Sequence, residues 1–333
     1  MDPMLIGVIA VIFAAMIFDY TNGFHDAANA IATSVSTRAL TPRQALAMAA
    51  VGNFIGAHLG AKVAQTVGSG LVTIPQERVG LAVVLAGVLG AITWNMVTWW
   101  FGLPSSSSHA LFGGLVGATL VGGYEVLWDG IFEKVVIPMI ASPVVGLVLG
   151  FGAMIAIMWI FRNGNPRKLN RGFRVAQSIS AAGMSVGHGM QDAAKTMGIV
   201  VLALYIGGFQ DDTSHIPEWV FVSSAAVLAA GTYAGGWRII KTLGRKVIDL
   251  GPAEGFAAET VASGVLYTNA LVFGAPISTT HTITSAIMGV GTTKGLAAVR
   301  WGVAGNIVMA WILTFPAAGA VAAGVYFLVR PLF

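Results

Sequence analysis

The sequence predicts an all-α polytopic membrane protein built from two inverted-topology repeats, with broken helices and two re-entrant helical hairpins. Composition is the first observation: 56% of the 333 residues are hydrophobic, 10% are charged, and the mean hydropathy is +0.79. Soluble domains carry about 25% charged residues, whereas a bilayer span needs about 20 predominantly apolar ones, and this chain supplies such runs repeatedly. The second observation is a duplication. NGFHDAANA at 22–30 echoes GHGMQDAAKT at 187–196, pairing Asp26 with Asp192 at an offset of 166. Pro104 and His109 pair with Pro276 and His281 at an offset of 172, and Pro143 pairs with Pro316 at 173. Landmarks in one order at nearly constant spacing mark an internal repeat. The third observation is loop charge. Basic residues gather in alternate loops (Arg38 and Arg43; 162–174; 238–246; Lys294 and Arg300), while the intervening loops hold Glu125, Asp129, Asp211, Asp212 and Glu218.

The elements follow in order. The N-terminal MDPMLIGVIAVIFAAMIFDY has Asp2 where a signal peptide has basic residues, and no small-residue cleavage site follows, so it reads as the first membrane helix. The first repeat, 1–161, is expected to hold a helix at about 4–37 broken by the polar motif, a simple span at 44–66, a hairpin at about 78–122 and a closing helix at 131–161. A basic linker at 162–173 leads into the second repeat, 174–333. There the equivalents are a broken helix at about 174–209, a simple span at 219–241, a hairpin at about 255–291 and a closing helix at 298–329. The apolar run after the second Pro-Ser/Thr loop is only about 11 residues, too short to cross a bilayer, so that element returns to its own side. With basic loops placed inside, both termini fall outside, and each repeat makes an odd number of net crossings. The second repeat is then inverted, an architecture of secondary transporters. Cysteine is absent, which excludes disulfides and thiolate metal sites, and the net charge of +4 resides in loops and implies no nucleic-acid partner.

Four acidic residues fall within apolar segments: Asp19, Asp26, Asp192 and, near an end, Glu259. A carboxylate at membrane depth costs about 2.5–3.5 kcal/mol on insertion scales, so each requires a compensating interaction. Asp26 and Asp192 are repeat-related and stand beside His25, Asn29, Gln191 and Lys195. Carboxylates, amide oxygens and unwound carbonyls make a hard-oxygen set suited to Na⁺. The alternative is a hydrogen-bonded Asp that fixes helix packing.

The loops FGLPSSSSH at 101–109 and FGAPISTTH at 273–281 suit the complementary task. A helix starting after each proline points free N–H groups and its positive dipole end at the loop, and Ser105–Ser108 and Ser278–Thr280 add hydroxyls. Two such ends near the midplane cradle a tetrahedral anion without arginine. The competing reading is a pair of N-caps or flexible turns. His109 and His281 orient the loops, touch the anion or carry a proton.

GFHDAANAIAT at 23–33 and HGMQDAAKTMG at 188–198 resemble the paired signatures of the PiT family of inorganic phosphate transporters, and the likeness runs through both Pro-Ser/Thr loops to WILTFPAAG at 311–319. The resemblance implies symport of inorganic phosphate with Na⁺ or H⁺, with Na⁺ preferred here. Proton-coupled phosphate or metal–phosphate symport and sulfate transport are the family's alternatives. It implies Na⁺ ligation by Asp26, Asn29 and Asp192, with Ser105 and Thr279 sharing oxygens, and phosphate binding by Ser105, Ser106, Ser107, Ser108, Ser278, Thr279, Thr280 and Gln191. His25, Lys195, His109 and His281 would support the site. Two positions depart from the family pattern: Gln191 stands where Asn is usual before the second Asp, and Lys195 stands where many members have Asn. Lys195 matches Asn29 of the first copy, so its ammonium is a candidate built-in cation; the plainer reading is a structural pair or a snorkelling side chain.

The expected setting is the inner (plasma) membrane of a prokaryote, with phosphate, Na⁺ and lipid as partners, a homodimer allowed, and no organic cofactor. An intramembrane serine hydrolase built on Ser108 and His109 is disfavoured, because adjacent residues on one loop rarely present nucleophile and base together and no G-x-S-x-G elbow exists.

Overall fold

A computed structural model of the chain describes residues 2–69 and 71–333, and all its regular elements are helices. In order they are α1 (Pro3–Ser36), α2 (Pro42–Ala57), α3 (Ala61–Ser69), α4 (Arg78–Phe101), α5 (Ser107–Gly122), α6 (Trp128–Ile131), α7 (Ile137–Ile160), α8 (Pro166–Ile206), α9 (Glu218–Ala234), α10 (Trp237–Lys241), α11 (Pro252–Tyr267), α12 (Thr279–Thr292) and α13 (Trp301–Val329). A π-helical stretch, Phe132–Val136, joins α6 to α7, and another, Thr268–Phe273, extends α11. Among the described residues, five helices are long and apolar enough to cross a membrane, or seven when each bent pair is counted as one span.

Two sequence expectations are corrected. The helices bearing the polar motifs are not broken: α1 runs 34 residues through Asp26 and α8 runs 41 residues through Asp192. At 1.5 Å per residue these are about 50 and 60 Å long. The motif glycines serve close packing instead of unwinding. A Cβ on Gly23 would lie 2.6 Å from the carbonyl oxygen of Leu228 in α9, and one on Gly189 would run into that of Asn53 in α2. The breaks fall in the segments expected to be simple spans. α2 and α3 meet at 68°, α9 and α10 at 59°, the second bend carrying Gly235 at φ +74°. The Gly-Gly pair at 235–236 was the local signal for that bend. The basic stretch 162–173 is also mostly helical: Asn165 caps α8, its side chain accepting from the amides of Arg167 and Lys168.

Each Pro-Ser/Thr loop joins two helices. α4 turns into α5 over residues 102–106, and α11, through its π-helical end, turns into α12 over 274–278. Their return limbs have 16 and 14 residues, about 24 and 21 Å, shorter than the ~30 Å hydrocarbon core. Support is reciprocal. The first hairpin packs on α13, the second on α7, while α2 packs on α8 and α9 on α1. Contact is backbone to backbone at the repeat-related Gly117 and Gly289, where a Cβ would collide with the carbonyls of Gly319 in α13 and Leu147 in α7. Gly117→Val and Gly289→Val are therefore each expected to lower the melting temperature in detergent by an amount matching about 1–3 kcal/mol of overpacking. Gly152→Val, where nothing lies within 4 Å, leaves the melting temperature unchanged.

Candidate functional site

The two hairpin tips are built alike. In each, the third serine-position residue before the histidine is the helix N-cap: Ser106 accepts from the amide of His109 at 3.3 Å, and Ser278 from that of His281 at 3.1 Å. Their extended backbones (ψ 112° and 113°) and short polar side chains are those of N-cap residues. The helix geometry then leaves the amides of Ser107 and Ser108, and of Thr279 and Thr280, with no intrahelical acceptor. The tips meet. Ser108 Oγ donates to the Ile277 carbonyl at 3.4 Å, and the His109 and His281 rings lie 4.8 Å apart. Trp311 of α13 braces both, stacking on His281 at 4.0 Å while its Nε1 donates to Pro104 O at 3.0 Å. Every Ser and Thr from Ser105 to Ser108 and Ser278 to Thr280 is buried.

α1 and α8 deliver the ionisable groups. Asp26 Oδ2 accepts from Ser107 Oγ at 2.8 Å, and its Oδ1 lies 2.6 Å from His25 Nδ1 and 3.5 Å from Thr280 Oγ1. Asn29 Nδ2 donates to Thr279 and Thr280 at 3.0 and 2.9 Å, leaving its buried Oδ1 without a partner. On the other side Lys195 Nζ donates to Ser107 and Ser108, both at 3.0 Å, and lies 2.8 Å from Asp192 Oδ1. His188 Nε2 is 2.9 Å from Asp192 Oδ2. Asp26, His188 and Asp192 each bring a polar side-chain atom within 4.8 Å of the others, with Asp192 already held by Lys195 and His188.

The hydrogen bonds fix two protons. Thr98 Oγ1 donates to the helix carbonyls of Trp94 and Asn95, and Ser105 Oγ donates to Thr98, so His25 Nε2, 3.1 Å from Thr98 Oγ1, must donate to it as well. His25 Nδ1 and Asp26 then share a proton across their 2.6 Å contact. The second pair behaves alike. Thr232 donates to Leu228 O and so accepts from Asn53 Nδ2; Asn53 Oδ1 faces His188 Nδ1, which donates, and a proton lies between His188 Nε2 and Asp192.

The sequence-expected residues thus gather in one buried cluster with different tasks. Ser107, Ser108, Thr279, Thr280, Asp26, Asn29, Asp192 and Lys195 converge at the tips. Ser105 bonds Thr98 and lies 3.4 Å from His25, and Gln191 clamps the second loop, accepting from Ile277 N at 3.1 Å and donating to Ala275 O at 3.3 Å. Sequence reasoning missed His188, though its i, i+4 spacing to Asp192 puts both on one face of α8. It also missed Trp311 and Thr98, whose partners His281 and His25 lie on other elements; Asn53, read as an interhelical hydrogen-bonding amide, does bond Thr232 and His188. Glu259 belongs to a separate buried network, accepting from Thr33, from Ser180 at 2.5 Å and from Gln177 at 3.4 Å. Asp19 is buried beside Thr196.

The sequence pattern of the phosphate transporter family matches residues 22–322. The chain belongs to that family. This phosphate transporter is 47% identical over 98% of its length to a protein of Rhizobium meliloti (strain 1021), covering 96% of that chain, and 40% identical over 100% of both chains to one of Bacillus subtilis (strain 168). Each bears the name "Probable low-affinity inorganic phosphate transporter". A solved structure titled "The sodium-dependent phosphate transporter" shares its fold, with a TM-score of 0.90 at 24% identity over 98% of this chain and 100% of the other. The family and its relatives are transporters, so this chain is an integral membrane carrier and not an enzyme.

Because Trp311 ties the first tip through Pro104, Trp311→Phe keeps the ring beside His281 and strands a buried carbonyl. Phosphate uptake by this variant should show a half-saturating concentration higher by about fivefold or more, matching the about 1–3 kcal/mol cost of an unpaired acceptor. An unchanged value would assign Trp311 to packing alone.

Proposed function

We propose that this transporter imports inorganic phosphate by symport with Na⁺, through alternating access of an inverted-repeat scaffold with both termini outside. The observation that carries the phosphate site is the meeting of two Ser-capped helix N-termini. The hydroxyl protons of Ser107 and Ser108 point to Asp26 and Ile277, so the four tip amides are the donors left for an anion. Ser106 and Ser278 shape the tips as caps, and Ser105 and Gln191 hold the loops.

Na⁺ is assigned to the Asp26 side. The unpartnered Asn29 Oδ1, the Asp26 carboxylate and the hydroxyls of Ser107 and Thr280 are hard oxygens around one position. The cation offsets the anion's cost of moving toward a negative interior, about 2.3 kcal/mol per charge per 100 mV. The reciprocal packing of hairpins and closing helices supports the two-repeat scaffold, and loop charge supports its orientation.

Proton coupling is the second reading, favoured by the shared protons of the His25–Asp26 and His188–Asp192 pairs. Uptake of phosphate into proteoliposomes decides between them. A Na⁺ gradient should drive uphill uptake that a pH gradient alone does not, and Asn29→Ala should raise the half-saturating Na⁺ concentration by on the order of tenfold, about 1.4 kcal/mol. Uptake driven equally or only by the pH gradient selects protons. Inhibition by sulfate as strong as by unlabelled phosphate would contradict the phosphate assignment.

A further inference from the structure

In the two repeat-related halves of the site, Asn29 and its counterpart Lys195 reach for equivalent hydroxyls with different groups. Asn29 in α1 reaches Thr279 and Thr280 on the second tip. Lys195 in α8 reaches Ser107 and Ser108 on the first tip. The hydroxyl pairs are equivalent at an offset of 172, and the two reaching residues at 166. At one position the side chain brings a neutral amide with an oxygen to spare; at its counterpart it brings an ammonium.

Lys195 is 1% exposed, and its three N–H bonds have three oxygen acceptors: Asp192 Oδ1 at 2.8 Å and the two serine hydroxyls at 3.0 Å. A carboxylate and two hydroxyls are also what a bound alkali cation would take there. The other oxygen of Asp192 is held by His188 at 2.9 Å, so both Asp192 oxygens already face donors. Asp19, a further buried carboxylate, has no hydrogen-bond partner on either oxygen among the described residues, and neither has the buried Thr196 hydroxyl. The ammonium also sits against the phosphate-facing end of α5, as Ser107 and Ser108 are the first two residues of that helix.

We propose that the Lys195 ammonium is a resident cation that takes the place of a second co-transported Na⁺ at Asp192. The carrier then loads one exchangeable Na⁺ fewer than a carrier with asparagine at this position. Its second positive charge stays with the protein when phosphate and the coupling ion leave. This rests on the symport reading above. A structural ion pair alone would hold α8 to the first tip without changing the number of ions linked to phosphate.

Calorimetry on the purified full chain separates these. The slope of the logarithm of the phosphate association constant against the logarithm of Na⁺ activity counts Na⁺ ions taken up with phosphate. Lys195→Asn should increase that slope by about one ion over the wild type, whatever ion drives wild-type transport, because it restores the oxygen that Asn29 supplies in the first half. Equal slopes in the two proteins would overturn the proposal. Should Lys195→Asn not purify as a monodisperse protein, Lys195→Gln brings the same amide oxygen to Asp192 on a longer stem. A slope higher than the wild type by about one ion supports the proposal; a slope equal to the wild type overturns it. Absence of phosphate binding to the wild type at any Na⁺ concentration or pH would instead sink the phosphate reading itself.

Discussion

Two helix N-termini facing each other in a low-dielectric interior is the constraint on which the rest of the structure depends. Each end presents unpaired amides and about half a positive charge, and a buried amide left without a partner costs about 1–3 kcal/mol. The protein answers with carboxylates. Asp26 accepts from Ser107 on the first tip and lies near Thr280 on the second, and Asp192 stands across from it behind Lys195. These carboxylates, costly in a membrane by themselves, become compatible with it because the helix ends and their own histidines surround them. The proposed anion site draws on the same arrangement, since donors that are already oriented cost no reorganisation.

Such a meeting point needs rigid supports from two directions. Each hairpin packs on the long first helix of its own half, α4 on α1 and α11 on α8, and leans on the closing helix of the other half. Gly117 and Gly289 let the backbones touch, and Trp311 bolts one tip to the other. The long, unbroken α1 and α8 then cross the centre and place Asp26, Asn29, Asp192 and Lys195 at fixed heights beside the tips.

Much of this was legible in the sequence. The turns between α4 and α5 and between α11 and α12 fall at the Pro-Ser/Thr loops, because a proline, hydroxyls and a histidine interrupting an apolar run leave few alternatives. The duplicated Asp motifs located the cluster. Helix continuity was misread, since a glycine that permits close packing and one that permits unwinding look the same in one sequence. Gly23 and Gly189 are of the first kind, and the Gly235–Gly236 bend is of the second. The division of labour among the serines was hidden too. Which of Ser105–Ser108 caps the helix and which meets Asp26 depends on where the first helical turn begins, and Thr98 and Trp311 enter only through long-range contacts.

The central claim is that both tips grip one anion together. Crystals soaked with arsenate, a heavier tetrahedral analogue of phosphate, test it most directly through anomalous scattering from the arsenic. The account predicts one peak per chain, within hydrogen-bonding reach of the amides of Ser107 and Ser108 and of Thr279 and Thr280. A peak bound to one tip only, or two separate peaks, would contradict it.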